Sequence, residues 1–316
     1  MGVVTPSTAT AQATTGASAR ARVRRKSLRR QRQLIGWLFS LPAICAFLYT
    51  KYLPVLTSVQ MSLYHWNIVN PPGVFTGLRN YLDVLGNPLV QLSWENNILL
   101  FLFGLLLGFW VPIVQAILLD ETRRGQKVLQ VLILVPLIIP TVAGYVIWKW
   151  ILNPTQVGLL NGVLGLFHLG PVGWLTNPNI AKISLMLPGL LGGGLGVYIY
   201  LSAIRAISTE IYEAAGIDGA GPWHKLRFIL VPSLIPTIKI MFILSLAGIF
   251  QLFDQVFFMT YGGPANSTYV LALNIYRDAF QVEHMGHAAA LTVFLFVVTA
   301  ILVAIQLRLS RGEPST

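Results

Sequence analysis

Residues 98–119 read ILLFLFGLLLGFWVPIVQAILL, a run of 22 residues without a charged side chain. The hydrocarbon core of a bilayer is about 30 Å thick, and a helix needs about 20 mostly apolar residues to cross it. The run therefore predicts a transmembrane helix. Pro112 within it does not argue against a helix, because membrane helices tolerate proline.

Five further stretches have the same character, so we predict six transmembrane spans. The spans are 35–56, 98–119, 128–150, 183–204, 237–259 and 289–307. The predicted fold is an all-α integral membrane protein. A cleaved signal peptide is a poor explanation of the first span, since a basic leader of more than 30 residues precedes it and five more spans follow.

The composition supports a membrane protein. Of the 316 residues, 55% are hydrophobic and only 10% are charged, and the mean hydropathy is +0.67. Soluble proteins carry about 25% charged residues, so the composition excludes a water-soluble enzyme. It also excludes a disordered chain. Cys45 is the single cysteine, which excludes a disulfide framework or a cysteine metal site within the chain.

The net charge of +11 is concentrated at one end of the chain. Residues 20–32, RARVRRKSLRRQR, hold eight of the 22 basic residues and no acidic one. Lysine and arginine mark the cytoplasmic side of membrane proteins. With six spans, the side that contains both termini holds sixteen of them, against Arg79 and Arg277 clearly within the opposite loops. We predict cytoplasmic termini and a disordered tail that contacts anionic lipid rather than nucleic acid.

The stretch between the fourth and fifth spans, residues 208–237, reads STEIYEAAGIDGAGPWHKLRFILVPSLIPT. The Ser-Thr pair at its start can cap a short helix, and Glu210 and Glu213 follow in the early turns, where acids are favoured. Gly219 interrupts this helix, and a second amphipathic stretch follows. Acidic and basic residues are balanced here, which favours docking into a protein groove over lying on a lipid surface.

This stretch resembles the EAA signature, E-A-A-x3-G-x9-I-x-L-P, of the membrane subunits of bacterial binding-protein-dependent ABC importers. The matching residues are Glu213-Ala214-Ala215, Gly219, Ile229 and Pro232, and only Val231 departs from the pattern. The remainder of the chain after residue 34 is similar to the branch that includes maltose, lactose and glycerol-phosphate permeases. The similar patches are Ser62-Leu63, Trp66-Asn67, Gly77 to Tyr81, Pro136, Pro140, Trp148, Asn153, Gly158, Asn161, Asp218 to Ala220, Pro236, Phe253-Asp254, Met259 to Pro264 and Tyr276 to Phe280.

The resemblance implies a type I ABC importer permease in the bacterial cytoplasmic (inner) membrane. A tail (1–33) would precede the permease domain (34–311), with a coupling loop at 208–236 and a short C-terminal tail (312–316). The implied partners are a second permease, two ATPase subunits and an extracytoplasmic sugar-binding protein. The residues implied to engage the ATPase are Glu213, Ala214, Ala215, Asp218 and Gly219.

The chain contains no phosphate-binding G-x4-G-K-[S/T] motif. We therefore expect a transport subunit that is not an enzyme and binds no cofactor of its own. ATP and Mg²⁺ are expected in the partner ATPase subunits.

A neutral sugar needs hydrogen-bonding groups and aromatic surfaces. The candidate substrate residues are Thr141, Tyr145, Gly192, Tyr198, Ser245, Gln251, Asp254 and Gln255. By its resemblance to the maltose importer, Ser245 corresponds to a sugar-contacting serine and Gly192 lies near a backbone contact. Ile249 and Leu252 replace two polar contact positions. The competing interpretation is that the hydroxyls bond their own helix backbone and the aromatic rings face lipid.

Other interpretations of the chain are weaker. A permease for glycerol phosphate, an acidic oligosaccharide or another polyol would need basic residues in the cavity, and Lys149 and Lys239 lie near span ends. An intramembrane enzyme lacks a nucleophile–base pair. His284 and His287 predict a surface role rather than a metal site.

The paired glycines within the second and fourth spans predict close helix packing. These pairs are Gly104/Gly108 and Gly192/Gly196.

Overall fold

The computed structural model describes residues 33, 35–67, 71, 73–122, 124–249 and 252–310. The predictions for the basic tail up to residue 32 and for the C-terminal tail lie outside these residues. The chain divides into two compact units, residues 1–58 and 59–316. Within the first unit, the described part is helical and includes a π-helical turn at Leu48–Tyr52.

The described residues form helices and one isolated β-bridge, between Tyr64 and Phe75, which confirms the all-α prediction. The helices are α1 (Ile35–Ser62), α2 (Arg79–Gly86), α3 (Pro88–Glu121), α4 (Gln126–Ile138), α5 (Thr141–Ile151), α6 (Leu159–Leu166), α7 (Pro178–Leu191), α8 (Gly194–Arg205), α9 (Thr209–Ile217), α10 (Pro222–Lys225), α11 (Val231–Ile249), α12 (Asp254–Met259), α13 (Leu271–Phe280) and α14 (Met285–Ser310). Further π-helical turns lie at Gly104–Gly108 within α3 and at Leu226–Leu230 between α10 and α11.

Four helical segments are long and apolar enough to cross a membrane: α1, α3, Pro222–Leu246 and α14. Two bent pairs pass the same test together, α4 with α5 at an angle of 102° and α7 with α8 at 51°. The chain is therefore a multi-pass membrane protein by length and composition, with four to six crossings. The number six stays a prediction.

The third and fourth predicted spans are not continuous helices, which corrects the sequence interpretation. Ile139 ends α4 in an extended conformation with ψ of 127°, because it precedes Pro140 and a residue before proline disfavours the α region. In the fourth span α7 ends at Leu191, and Gly194 begins α8 with a positive φ of 51°. Apolar composition predicts membrane location but not these breaks.

The fifth predicted span also differs from the observed helix. Helix α11 begins at Val231, six residues before the predicted start, and ends at Ile249; Asp254 begins the separate helix α12. Pro232 does not stop the helix, although a proline ring normally clashes with the carbonyl four residues earlier. The π-helical turn at Leu226–Leu230 widens the helix just before this ring.

The second half of α3 packs against α8 and α11 in an apolar core. Its buried members are Ile113, Ala116, Leu119, Val197, Tyr200, Leu201, Ile204, Leu230 and Leu234. Gly196 allows the close approach, since a Cβ there would lie 3.2 Å from Cβ of Pro112. The packing prediction is wrong for Gly108, which has no neighbour within 4 Å of a Cβ position and instead ends the π-helical turn that Gly104 begins.

Buried asparagines hold the segment between α12 and α13 against the start of α3. The Asn96 amide donates hydrogen bonds to the carbonyl oxygens of Asn266 and Tyr269, both at 2.9 Å. The Asn97 Oδ1 accepts one from the Leu271 N–H at 3.0 Å. Because buried polar groups need partners, these bonds fix the long connection on one side of the bundle.

Candidate functional site

Helix α9 begins and ends with local signals that its sequence encodes. Ser208 is the N-cap, and its hydroxyl accepts a hydrogen bond from the Glu210 N–H at 3.3 Å. At the other end Gly219 has a φ of 77°. The Ala220 N–H donates to the Ala215 carbonyl at 2.8 Å, and the Gly219 N–H donates to the Gly216 carbonyl at 3.1 Å. This pair of bonds is a Schellman motif, which glycine stabilises.

The surface of α9 and the turn after it is open and partly apolar. Glu213 and Ala214 are exposed. Ile217 is 88% exposed and Trp223 is 71% exposed. Large apolar side chains are therefore exposed on this segment together with the carboxylate of Glu213.

The base of this surface is attached to the transmembrane bundle. Leu226, Leu230 and Leu234 follow the turn and pack into the core formed with α3 and α8. On the other side, the Arg205 Nε at the end of α8 donates to the Asp120 Oδ1 near the end of α3, at 3.2 Å. The segments before and after the exposed helix α9 are thus both attached to the transmembrane helices.

A cavity of about 410 Å³ lies where both bent pairs break. Three of the predicted substrate residues, Thr141, Tyr145 and Gly192, line it together. Trp148 lines it as well, so the cavity combines a hydroxyl, a phenol and an indole with an apolar wall. Hydrogen-bonding groups beside aromatic rings suit a sugar.

Ser245 lies in a different cavity, of about 340 Å³, beside the π-helical turn of α3. Its neighbours there are apolar, including Phe101, Phe109 and Leu252. The Ser245 hydroxyl donates to the Phe242 carbonyl at 2.8 Å, as serines in membrane helices often do.

The remaining predicted substrate residues are dispersed. The Tyr198 hydroxyl donates to the Gln130 carbonyl at 3.0 Å, which joins α8 to α4. The Gln255 amide donates to the Leu185 carbonyl on α7. Asp254 is exposed at the start of α12 and interacts electrostatically with Tyr145. Gln251 lies outside the described residues.

His284 and His287 lie at the start of α14, with ring centroids 5.4 Å apart. His65 lies 6.4 Å from His284, and the His287 Nε2 is 3.9 Å from a carboxylate oxygen of Asp83. In the described part of the chain, no group of three or more His, Cys, Asp or Glu residues is arranged to hold a metal ion.

The chain matches a protein family described as "Binding-protein-dependent transport system inner membrane component" over residues 101–312. It is 30% identical to the lactose transport system permease protein LacF of Rhizobium radiobacter over 293 residues, 91% of this chain and 97% of LacF. It is 27% identical to the trehalose/maltose transport system permease protein MalF of Thermococcus litoralis over 281 residues, 88% of this chain and 94% of MalF.

A solved structure has a similar fold. One chain of a bacterial ABC transporter involved in the import of the acidic polysaccharide alginate superposes with a TM-score of 0.81 at 25% identity. The match covers 90% of this chain and 98% of that chain.

Proposed function

The chain belongs to the family of inner membrane components of binding-protein-dependent transport systems, and on that premise we propose that it is the permease subunit of an ATP-driven sugar importer. The observation that carries the proposal is the exposed helix α9, which bears Glu213 and ends at Gly219. An exposed helix of this kind is available to bind a partner protein. The chain itself lacks a phosphate-binding motif for ATP, so the partner would supply ATP hydrolysis.

The proposed assembly contains this chain, a second permease, two ATPase subunits that bind ATP and Mg²⁺, and an extracytoplasmic binding protein. The chain crosses the bacterial inner membrane six times with both termini in the cytoplasm. The distribution of lysine and arginine supports this orientation. A solved alginate transporter in complex with an oligosaccharide-bound periplasmic protein, 24% identical to this chain, has the same fold.

In this proposal, α9 and its C-terminal turn dock on an ATPase subunit. Glu213, Ala214, Ala215, Asp218 and Gly219 form the contact. All but Ala215 are exposed, and Ala215 is partly buried. Docking into a groove by an amphipathic helix is a common mode of recognition.

The proposed substrate is a neutral sugar or oligosaccharide, and Thr141, Tyr145 and Gly192 are the proposed contacts. None of the residues that line their cavity is basic, and all of them lie in the described part of the chain. An anionic substrate would favour charge-assisted hydrogen bonds from lysine or arginine. LacF and MalF, named for lactose and for trehalose and maltose, support the neutral class.

An acidic oligosaccharide is the second candidate, and the fold shared with the alginate transporter favours it. Uptake into vesicles that contain the purified assembly distinguishes the two. Labelled lactose, maltose and trehalose form one set, and alginate trisaccharide forms the other. Uptake of a neutral sugar that alginate trisaccharide does not inhibit is the expected result; uptake of the acidic sugar alone would replace the neutral assignment.

The coupling role is tested with two glutamates on the same helix. Glu213→Ala is expected to abolish uptake and to lower ATPase binding, because it removes one of the two charged side chains of the contact, the other being Asp218. Glu210→Ala is the matched control, since Glu210 is also exposed on α9 but lies outside the signature. Normal uptake by the Glu213→Ala assembly, at normal membrane levels, would refute the docking proposal.

A further inference from the structure

Helix α9 makes few contacts with the rest of the described chain. None of its nine residues is buried, and it has no extensive contact with another described helix. A force on α9 therefore reaches the spans through its two ends and through side chains that point inward. Tyr212 and Ala215 are its partly buried residues, and Tyr212 alone of the two is large.

Tyr212 reaches the end of α3. It lines one cavity of about 550 Å³ and a second of about 180 Å³. The residues that share one or both cavities with it include Ile117, Asp120, Glu121, Ile204 and Leu230. Burial raises the pKa of Tyr212, and the negative charges of Asp120 and Glu121 raise it further. The phenol is therefore neutral at physiological pH and packs as a ring with a polar tip.

The ends of α3 and α8 are joined at the same place. Asp120 is the next-to-last residue of α3, and Arg205, the last of α8, donates to it at 3.2 Å. The side chains of Arg205 and Asp120 are 49% and 35% exposed, and a pair this exposed adds little stability. The hydrogen bond links the end of α8 to the end of α3, and Asp120 lines the 180 Å³ cavity together with Tyr212.

We propose that Tyr212 is the positioning residue through which a movement of α9 passes to the joined ends of α3 and α8. The inference rests on the proposed function, because it assumes a partner that moves α9. Without the ring, α9 is connected to the spans by residues 206–208 and by the turn at Gly219. In the absence of the ring, a movement of α9 does not change the orientation of α3 and α8.

The test uses a chemical reporter in the cavity at the bends, so no substrate is required. Cys45→Ser removes the single cysteine, and Ile139→Cys places one in the lining of the 410 Å³ cavity. The rate of labelling by a maleimide is measured in the purified assembly, without nucleotide and with Mg-ATP and vanadate. With Tyr212 intact we expect a rate change of about fivefold or more.

Tyr212→Ala in this background is expected to keep ATPase binding and ATP hydrolysis but to lose the change in labelling rate. Tyr212→Phe, which keeps the ring, is expected to restore it. A full response of the Tyr212→Ala protein overturns the inference. Loss of ATPase binding also overturns it, because that result makes Tyr212 a docking residue.

If Tyr212→Ala fails to accumulate in the membrane, the same measurement is made on Ile117→Ala, since Ile117 lines both cavities together with Tyr212. Its loss of the labelling response supports the inference, and an unchanged response overturns it. Failure of the proposed function is a separate outcome: with Tyr212 intact, the reporter would then not respond to nucleotide.

Discussion

Replacing Gly219 by alanine isolates the contribution of one backbone angle to the turn that ends α9. Gly219 has a φ of 77°, and a Cβ there would meet no atom within 4 Å. The cost is therefore backbone strain, about 1 to 2 kcal/mol for an L-residue in this region. The two hydrogen bonds that close the turn contribute about 0.5 to 1.5 kcal/mol each. The strain is similar in size, so we expect the opened population of the turn to rise about 5- to 30-fold.

The assay is hydrogen exchange of the reconstituted protein, followed by mass spectrometry of a peptide that covers residues 209–225. Faster exchange is expected at Gly219 and Ala220, whose N–H groups make the two bonds. Gly221→Ala is the control, because Gly221 also has open space around a Cβ position but has a φ of −69°. An alanine adopts that angle without strain.

Equal exchange in the Gly219→Ala protein, the Gly221→Ala protein and the unaltered chain would refute the reasoning, since it would mean that the positive φ costs nothing. Equally fast exchange in both variants would also refute it. That result would assign the effect to loss of glycine itself rather than to the left-handed conformation.

Other positions give predictions of different kinds. Asn161→Leu is expected to cost about 2 to 4 kcal/mol of stability in detergent thermal unfolding, because the buried amide makes four hydrogen bonds; Asn179→Leu, at an exposed site, should cost little. Thr141→Val should slow sugar uptake up to about tenfold, because one hydrogen bond to the sugar is lost. Thr299→Val should leave uptake unchanged, because the Thr299 hydroxyl donates to the Leu295 carbonyl of its own helix. Burial raises the pKa of Asp278 above 3.8, so the ionised carboxylate costs folding free energy at neutral pH. Asp278→Asn should therefore raise the unfolding temperature at pH 7, and the difference should vanish below about pH 4.

Apolar runs in the sequence locate the membrane helices because lipid demands apolar side chains, but they do not locate helix ends. Helix α3 begins at Pro88, ten residues before the predicted span. Those ten residues include Asn96 and Asn97, whose partners lie about 170 positions away. No local pattern identifies such partners. The only local signal of a structural role for these two asparagines is that they form a polar pair directly before an apolar run.

The two parts of the candidate site differ in how far local sequence determines them. The N-cap at Ser208 and the turn at Gly219 depend on neighbouring residues, and the sequence predicts both. The contact between Arg205 and Asp120 joins residues 85 positions apart, so no local pattern predicts it. The seven predicted substrate residues that the structure describes do not meet in one place. The breaks before Thr141 and Gly194 redirect the helix faces that a straight span would present.

The bend of 102° between α4 and α5 has a consequence for topology. Helices of 13 and 11 residues joined at this angle reach only about 23 Å from end to end at 1.5 Å per residue, less than the roughly 30 Å of a bilayer core. If this pair crosses the membrane, the bilayer must thin there or other protein must cover the difference. The number of crossings also decides on which side of the membrane later residues lie. If one bent pair crosses and the other does not, Arg205 and Lys225 lie on the opposite side from the one they occupy when both pairs cross. The two bent pairs therefore determine the topology together, and a change that removes a single crossing places α9 on the opposite side of the membrane.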